Sequence, residues 1–341
     1  MLPWWINTFF RRTTRTALLM VASLVLAAGT LAACGGDDDN GSADDAQEAG
    51  TEGGEPVTLD VGVIPIADVA PLYLGSEKGF FEEENLTINP QLAEGGAAII
   101  PAVVSGDFQI GFSNTVSLLI AASENIPIKI IAQGVLAGQD ESEAWADLLV
   151  LKDGPISEPS DLEGKTIAVN TLNNVCEVTI KASLEDMGVD VSTLEFAEMP
   201  FPDMNPALEA GRVEGACVVE PFVTAGKAGK AKGIDPFFVN TAPDLTVATY
   251  FTSGDYAEEN PDVVERFVRA MHKSLDYAQQ NSDEVREILL TYTEIPEEVA
   301  EQITLPVWRS DLNVDTIELT AELSVKYGLI EEQPNLDDLL P

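Results

Sequence analysis

Histidine, cysteine and positive charge are scarce in this sequence. There is one histidine, His272, and there are three cysteines, Cys34, Cys176 and Cys217. A single histidine gives almost no basis for acid–base or nucleophilic chemistry built on imidazole. The cysteines show no metal-ligand spacing. No enzyme activity, cofactor or metal is therefore expected. Lysine and arginine number 18 against 58 aspartates and glutamates, a formal net charge of −40 over 341 residues. Phosphate contacts need a basic surface, so nucleic acid is excluded as a partner. Anionic membrane surfaces would repel the folded body as well. Most of the excess charge must be solvated surface, on a scale that suggests a salty habitat.

Long apolar runs are also few. Ala17–Leu31 is one, preceded by Arg11, Arg12 and Arg15, and it is short for a membrane span. It leads into Leu31-Ala32-Ala33-Cys34, a tetrad that resembles the bacterial lipobox. Residues 1–33 then read as a lipoprotein signal peptide, with Cys34 as the lipidated N-terminus on the outer face of the cell membrane. The Arg11-Arg12 pair is a weak match to a twin-arginine signal. Residues 34–56 are mostly Gly, Asp, Glu, Ser and Ala with no aromatic, a composition that cannot order itself. They read as a flexible acidic tether. The remaining cysteines, Cys176 and Cys217, could pair in an oxidising compartment. Two free, partly buried thiols is the reading preferred here.

The folded body starts near Val57 and alternates strands with helices, the pattern of an α/β fold with helices on both faces of mixed sheets. Its organising stretch is Glu94–Asn114. Gly95-Gly96 bends the chain, Ala97–Val104 is a helix and Gly106 ends it. Pro101 is acceptable only in the helix's first turn. Phe108–Phe112 alternates as a strand, and Ser113-Asn114 caps the next helix. The unit returns: Pro101-Ala102-Val103-Val104-Ser105-Gly106 is echoed by Pro206-Ala207-Leu208-Glu209-Ala210-Gly211, an offset of 206 − 101 = 105. One such echo is no more than chance can give. A second match at nearly the same offset, strand Leu59–Ile64 with Thr166–Val169, favours two similar lobes. Asn174 with Glu177 has capping-box spacing. Helix 263–278 carries a stripe of Val264, Phe267, Met271 and Leu275, which leaves His272 on a helix surface. In α/β sheets, ligands bind beyond the carboxyl ends of strands.

The motifs A-P-L-Y-L-G-S-E-K-G-F-F from Ala70, A-E-G-G-A-A-I-I-P-A-V from Ala93 and G-F-S-N from Gly111 carry a family resemblance. D-L-E-G-K-T-I-A-V-N-T-L-N-N from Asp161, P-F-P-D-M from Pro200 and V-V-E-P-F from Val218 extend it. From about Val57 onward the chain resembles the ABC-importer solute-binding proteins of the nitrate/sulfonate/taurine and thiamine-pyrimidine-precursor group. The resemblance implies a type II periplasmic-binding-protein fold with two crossover strands, Leu148–Leu151 and Val247–Thr252. Lobe I would comprise 57–148 with 250–341, and lobe II 149–249. It also implies a monomer that captures a small solute and hands it to a permease with its ATPase. A related branch acts as a pyrimidine synthase, but with a cysteine-rich motif and a histidine that this chain lacks.

The resemblance places candidate ligand contacts at Asp68, Glu94, Gly95, Gly96, Ser113 and Asn114 in lobe I. In lobe II they fall at Asn170, Thr171, Asn173, Asn174, Phe201 and Glu220. Local capping is the competing role for each, above all for Ser113 and Asn174. Glu220 stands out because it has no obvious local partner. Cys176 departs from the small residue expected at its position. Asp68, Glu94, Asp203 and Glu220 make the expected pocket acidic, and Phe201, Phe222 and Tyr250 offer aromatic walls. An acidic pocket favours a planar nitrogenous solute with N–H donors. Helix N-termini can still bind sulfonate or nitrate without basic side chains, which keeps aliphatic sulfonate, taurine or nitrate as the alternative. The lipobox reading has a direct test: Cys34→Ser should release the protein or leave its precursor uncleaved. A variant that stays membrane-bound at the normal mature mass would contradict it.

Overall fold

A computed structural model describes residues 54–341, which lie within one compact unit. The signal peptide, Cys34 and almost all of the tether fall outside the described residues. Ten strands form two five-stranded sheets. In chain order they are β1 Val57–Val63, β2 Leu86–Leu92, β3 Ile110–Asn114, β4 Ile128–Leu136 and β5 Ala146–Leu151. Then come β6 Thr166–Val169, β7 Glu195–Glu198, β8 Gly215–Val219, β9 Ala231–Asp235 and β10 Thr246–Ser253. The first sheet is ordered β2-β1-β3-β10-β4 and the second β7-β6-β8-β5-β9. We call each sheet with its helices a lobe, I and II.

Each sheet pairs three strands in parallel and sets its fourth antiparallel to both neighbours. That antiparallel strand has just crossed from the other lobe: β5 enters lobe II, β10 returns to lobe I. The crossings are therefore 137–145 and 236–245. The expected boundaries, at 148 and 250, cut through β5 and β10, each of which lies wholly in one sheet. They were drawn at the apolar cores of the strands, whereas the chain changes sheet in the turns before them. The C-terminal helices pack back onto lobe I, with Pro261–Gln280 against Ala70–Glu77 and Phe80–Glu83.

The repeat is structural. Helix Gly96–Val104 and β3 correspond to helix Phe201–Glu209 and β8 at an offset of 105 residues. Gly106 and Gly211 follow the two helices with φ of 82° and 65°, where a side chain would be strained. Pro101 and Pro206 both sit inside their helices rather than in the first turn. The expectation for Pro101 was too strict. Each helix is only nine residues long, so its backbone loses little beyond the one donor that proline lacks.

Two other expectations change. Cys176 and Cys217 form a disulfide, with Cα atoms 6.2 Å apart. The bond ties the first turn of helix Val175–Asp186 to the middle of β8. Cross-linking residues 41 apart in sequence stabilises the fold by about 4 kcal/mol in the chain-entropy account. On helix Pro261–Gln280 the buried face is Val263, Phe267, Ala270, Met271, Ser274 and Leu275. Val264 is only partly buried, and Arg266 is buried instead, donating to the carbonyls of Glu55 and Glu84. Among the described residues, no helix is long and apolar enough to cross a membrane.

Candidate functional site

The turns after β1, β3, β6 and β8 meet where the lobes face each other. Two adjoining cavities lie there. The inner one, about 40 Å³, is lined by Asp68, Asn114, Asn170, Cys176 and Phe201 among apolar strand ends. The outer one, about 130 Å³, is lined by Pro65, Glu94, Pro200, Phe201, Pro202 and Phe222. Phe201 and Phe222 stack with ring centroids 5.8 Å apart and planes within 11°. Neither lining contains Lys or Arg.

Asp68 sits in a 3₁₀ turn, Ala67–Val69, between β1 and the helix that starts at Ala70. It is buried, and its Oδ1 has no hydrogen-bond partner among the described residues. Burial pushes its carboxyl up to about 8, against a slight opposing effect of its own backbone amide. Around it lie tyrosines. Tyr73 stacks on Tyr292 at 3.9 Å, and the Tyr292 hydroxyl donates to the Ile66 carbonyl at 3.0 Å. Burial raises Tyr250 and Tyr292 well above the ordinary phenol value, with Tyr73 and Asp68 adding to the effect. The Trp308 indole donates to the Asp68 carbonyl at 3.0 Å. The aromatic cage that isolates this carboxyl draws on Trp308 and Tyr292, far along the chain, and nothing in the local sequence signals them.

Asn114 joins the lobes. Its Oδ1 accepts from the Ser117 amide at 3.0 Å, which caps helix Thr115–Ser123, and from the Val175 amide of lobe II at 3.3 Å. Ser113 is buried behind Gly96 and is not the cap. Asn170 donates to the Glu94 carbonyl across the cleft at 3.4 Å and accepts from Asn174 at 2.8 Å. Asn174 also donates to the Thr171 hydroxyl and caps helix Val175–Asp186 through the Glu177 amide. The return bond from Glu177 reaches the Asn173 amide at 3.2 Å, not that of Asn174. Asn173 itself is exposed with φ of 53°, a turn position.

The glycines act through closeness rather than left-handed backbone. Gly95 has φ of −172°. A Cβ there would lie 2.5 Å from Thr171 Cγ2 and 3.0 Å from Asn170 Nδ2, so only glycine lets the lobes approach this far. A Cβ on Gly96 would overlap Ser113.

Three expectations do not match the geometry. Glu220 does have partners: its carboxylate accepts from the Thr224 amide and hydroxyl and from the Thr304 amide. It lines neither cavity. A carboxylate at a strand end finds the free amides of the next helix, and Thr304 arrives from a segment 84 residues away. Tyr250 is fully buried against Phe112 and Phe267 in lobe I, behind the cleft rather than on its wall. Asp203 and Glu94 are exposed. The acidity of the inner cavity therefore rests on Asp68 alone. Among the described residues, no group of three or more His, Cys, Asp or Glu could hold a metal ion.

Two α/β lobes, joined by two crossings and meeting at a cleft on the carboxyl ends of their strands, define a periplasmic-binding-protein fold. The chain belongs to the NMT1/THI5-like family, whose model matches residues 66–285. It is 31% identical over 196 residues to the taurine-binding periplasmic protein of Escherichia coli K12, covering 57% of this chain and 58% of that protein. It is 25% identical over 225 residues to the formylaminopyrimidine-binding protein of Halalkalibacterium halodurans, covering 64% and 65%. The matches thus span about three fifths of these relatives' length. The matches also include an enzyme, the 4-amino-5-hydroxymethyl-2-methylpyrimidine phosphate synthase of Aspergillus parasiticus, 31% identical over 61% of this chain and 62% of its own. In fold, the alkanesulfonate-binding protein of Xanthomonas axonopodis pv. citri superposes with a TM-score of 0.72 at 16% identity, covering 84% of this chain and all of its own.

Burial of Asp68 has a pH signature. An acid raised from 3.8 to about 8 holds its proton more tightly when folded than when unfolded. Its contribution to stability therefore falls as pH rises through that window and levels off above it. Relative to Asp68→Asn, the wild type should lose a few degrees of unfolding temperature between about pH 5 and pH 8. Parallel profiles for the two proteins would show that Asp68 is not buried as described.

Proposed function

We propose that this chain is the extracytoplasmic solute-binding protein of an ABC importer, held to the membrane by lipid on Cys34. It takes up a small solute between its lobes and presents the closed form to a permease driven by its ATPase. What supports this reading is the interlobe cleft with polar turns from both lobes around one buried, unpartnered carboxyl. Closure by hinge motion follows from ligand contacts to both lobes, which favour the closed form by their differential affinity. A cavity of about 40 Å³ holds little more than a water. Solute entry therefore requires the lobes to part.

The solute best matched to the cleft is a planar nitrogenous molecule, close to a pyrimidine precursor. Its N–H or amine donors would meet Asp68, and its ring would lie along Phe201 and Phe222. An anion fits less well. No basic side chain lines the cleft, and the Ser117 and Val175 amides are already engaged by Asn114. Burial keeps Asp68 largely protonated near neutral pH. A bound cationic or N–H-rich group favours its ionised form, whereas a bound anion 4 Å away opposes ionisation by roughly 4 kcal/mol at an effective dielectric near 20. Taurine combines both features, since its amine could face Asp68.

Calorimetry of the mature protein against aminopyrimidines, aromatic amines, taurine, alkanesulfonates and nitrate separates these. An aminopyrimidine should bind, and Asp68→Asn should weaken it about tenfold or more. Tight binding of an alkanesulfonate or nitrate that survives Asp68→Asn would move the assignment to the anion class. If no small solute bound, the transport reading itself would fall.

A further inference from the structure

We infer that Glu220 is a mechanical clamp between the lobes, a positioning residue rather than a contact for the solute. It is the first residue beyond β8 and is 1% exposed. Its backbone and side chain both reach across to lobe I. The Glu220 carbonyl accepts from the Ala67 amide at 3.0 Å. Its Oε1 accepts from the Thr304 amide at 3.2 Å and from the Thr224 hydroxyl at 2.7 Å, and Oε2 from the Thr224 amide at 3.1 Å. Ala67 lies in the turn after β1, while Thr304 belongs to the returning C-terminal segment, so two distant parts of lobe I are held by one residue of lobe II.

The surroundings place the clamp at the first crossing. The Glu220 amide donates to the Trp145 carbonyl at 3.0 Å, one residue before β5. The Trp145 indole donates back to Leu136, the last residue of β4, at 2.9 Å. Leu136 also bridges to Val307, three residues beyond Thr304. Glu220 thus ties together the start and the end of the crossing and the segment that runs beside it.

The consequence reaches the cleft through Asp68. Ala67 precedes Asp68 directly, and Trp308, in the same segment as Thr304, donates to the Asp68 carbonyl. Glu220 bonds Ala67 directly, and its bond from Thr304 holds the segment that carries Trp308, four residues on. Removing the Glu220 carboxylate leaves the Thr304 and Thr224 amides without their acceptor, a loss felt at the junction rather than within either sheet.

Amide hydrogen exchange on the full protein without solute tests this, and it is independent of what the cleft binds. In the wild type, the Ala67 and Thr304 amides should exchange far more slowly than that of nearby Arg309, an exposed residue whose amide has no hydrogen-bond partner among the described residues. In Glu220→Ala, Thr304 should exchange at least about tenfold faster, while Val61 in β1 and Ala168 in β6 keep their protection. Glu220→Gln retains an oxygen acceptor and should restore most of the Thr304 protection. Fast exchange of Thr304 in the wild type would overturn the clamp even if no variant folds. Unchanged Thr304 exchange in Glu220→Ala would overturn it too, as would joint deprotection of β6 and β8. A role limited to solute contact would appear as weakened binding with unaltered exchange.

Discussion

The structure depends on the chain crossing twice between its two sheets. Each crossing delivers a strand that lies antiparallel to both neighbours, β5 in lobe II and β10 in lobe I. Two connections, unlike one, restrict the lobes to motion about a shared axis. They also bring the turns after β1, β3, β6 and β8 face to face, because those turns leave the same end of each sheet. The cleft is thus a product of topology, and individual side chains only give it chemical character. Large relative motions at such junctions are absorbed by a few residues in the connections.

Within that frame, one carboxyl of the cleft is left with an unmet need. Asp68 is buried among Tyr73, Tyr250 and Tyr292, and one of its oxygens has no partner. An unpaired buried polar group is costly, and such costs concentrate where a ligand will meet them. Glu220 is satisfied by the Thr224 and Thr304 amides. Buried Asp235 accepts from Ser183 and Asn240 on one oxygen only, its Oδ2 has no partner among the described residues, and burial raises it to about 6. What sets Asp68 apart is its place: it lines the inner interlobe cavity, and Asp235 and Glu220 line neither cavity.

The sequence made local structure plain where a residue's role is local. Gly106 and Gly211 end equivalent helices, and the 105-residue echo foretold two corresponding units. Asn114 and Asn174 cap helices, as short polar side chains at strand ends do. What stayed hidden depends on distant partners. The Glu220 carboxylate looked free although Thr224, four residues on, is a local partner; the bond that stayed out of reach is the one from Thr304, 84 residues away. Tyr250 looked like a cleft wall, although strand alternation alone cannot say which face of β10 meets the cleft. The Cys176–Cys217 bond was equally illegible, since spacing does not show that the first turn of helix Val175–Asp186 meets the middle of β8. Gly95 was read as a bend when its need for glycine comes from Thr171 on the other lobe.

The most direct test of the central claim, that one solute is held by both lobes around Asp68, is a crystal structure of the protein with an aminopyrimidine. The account predicts a ring against Phe201, a donor nitrogen within hydrogen-bond distance of Asp68 Oδ1, and contacts to both lobes. A solute lying wholly within one lobe, or seated away from Asp68, would contradict it.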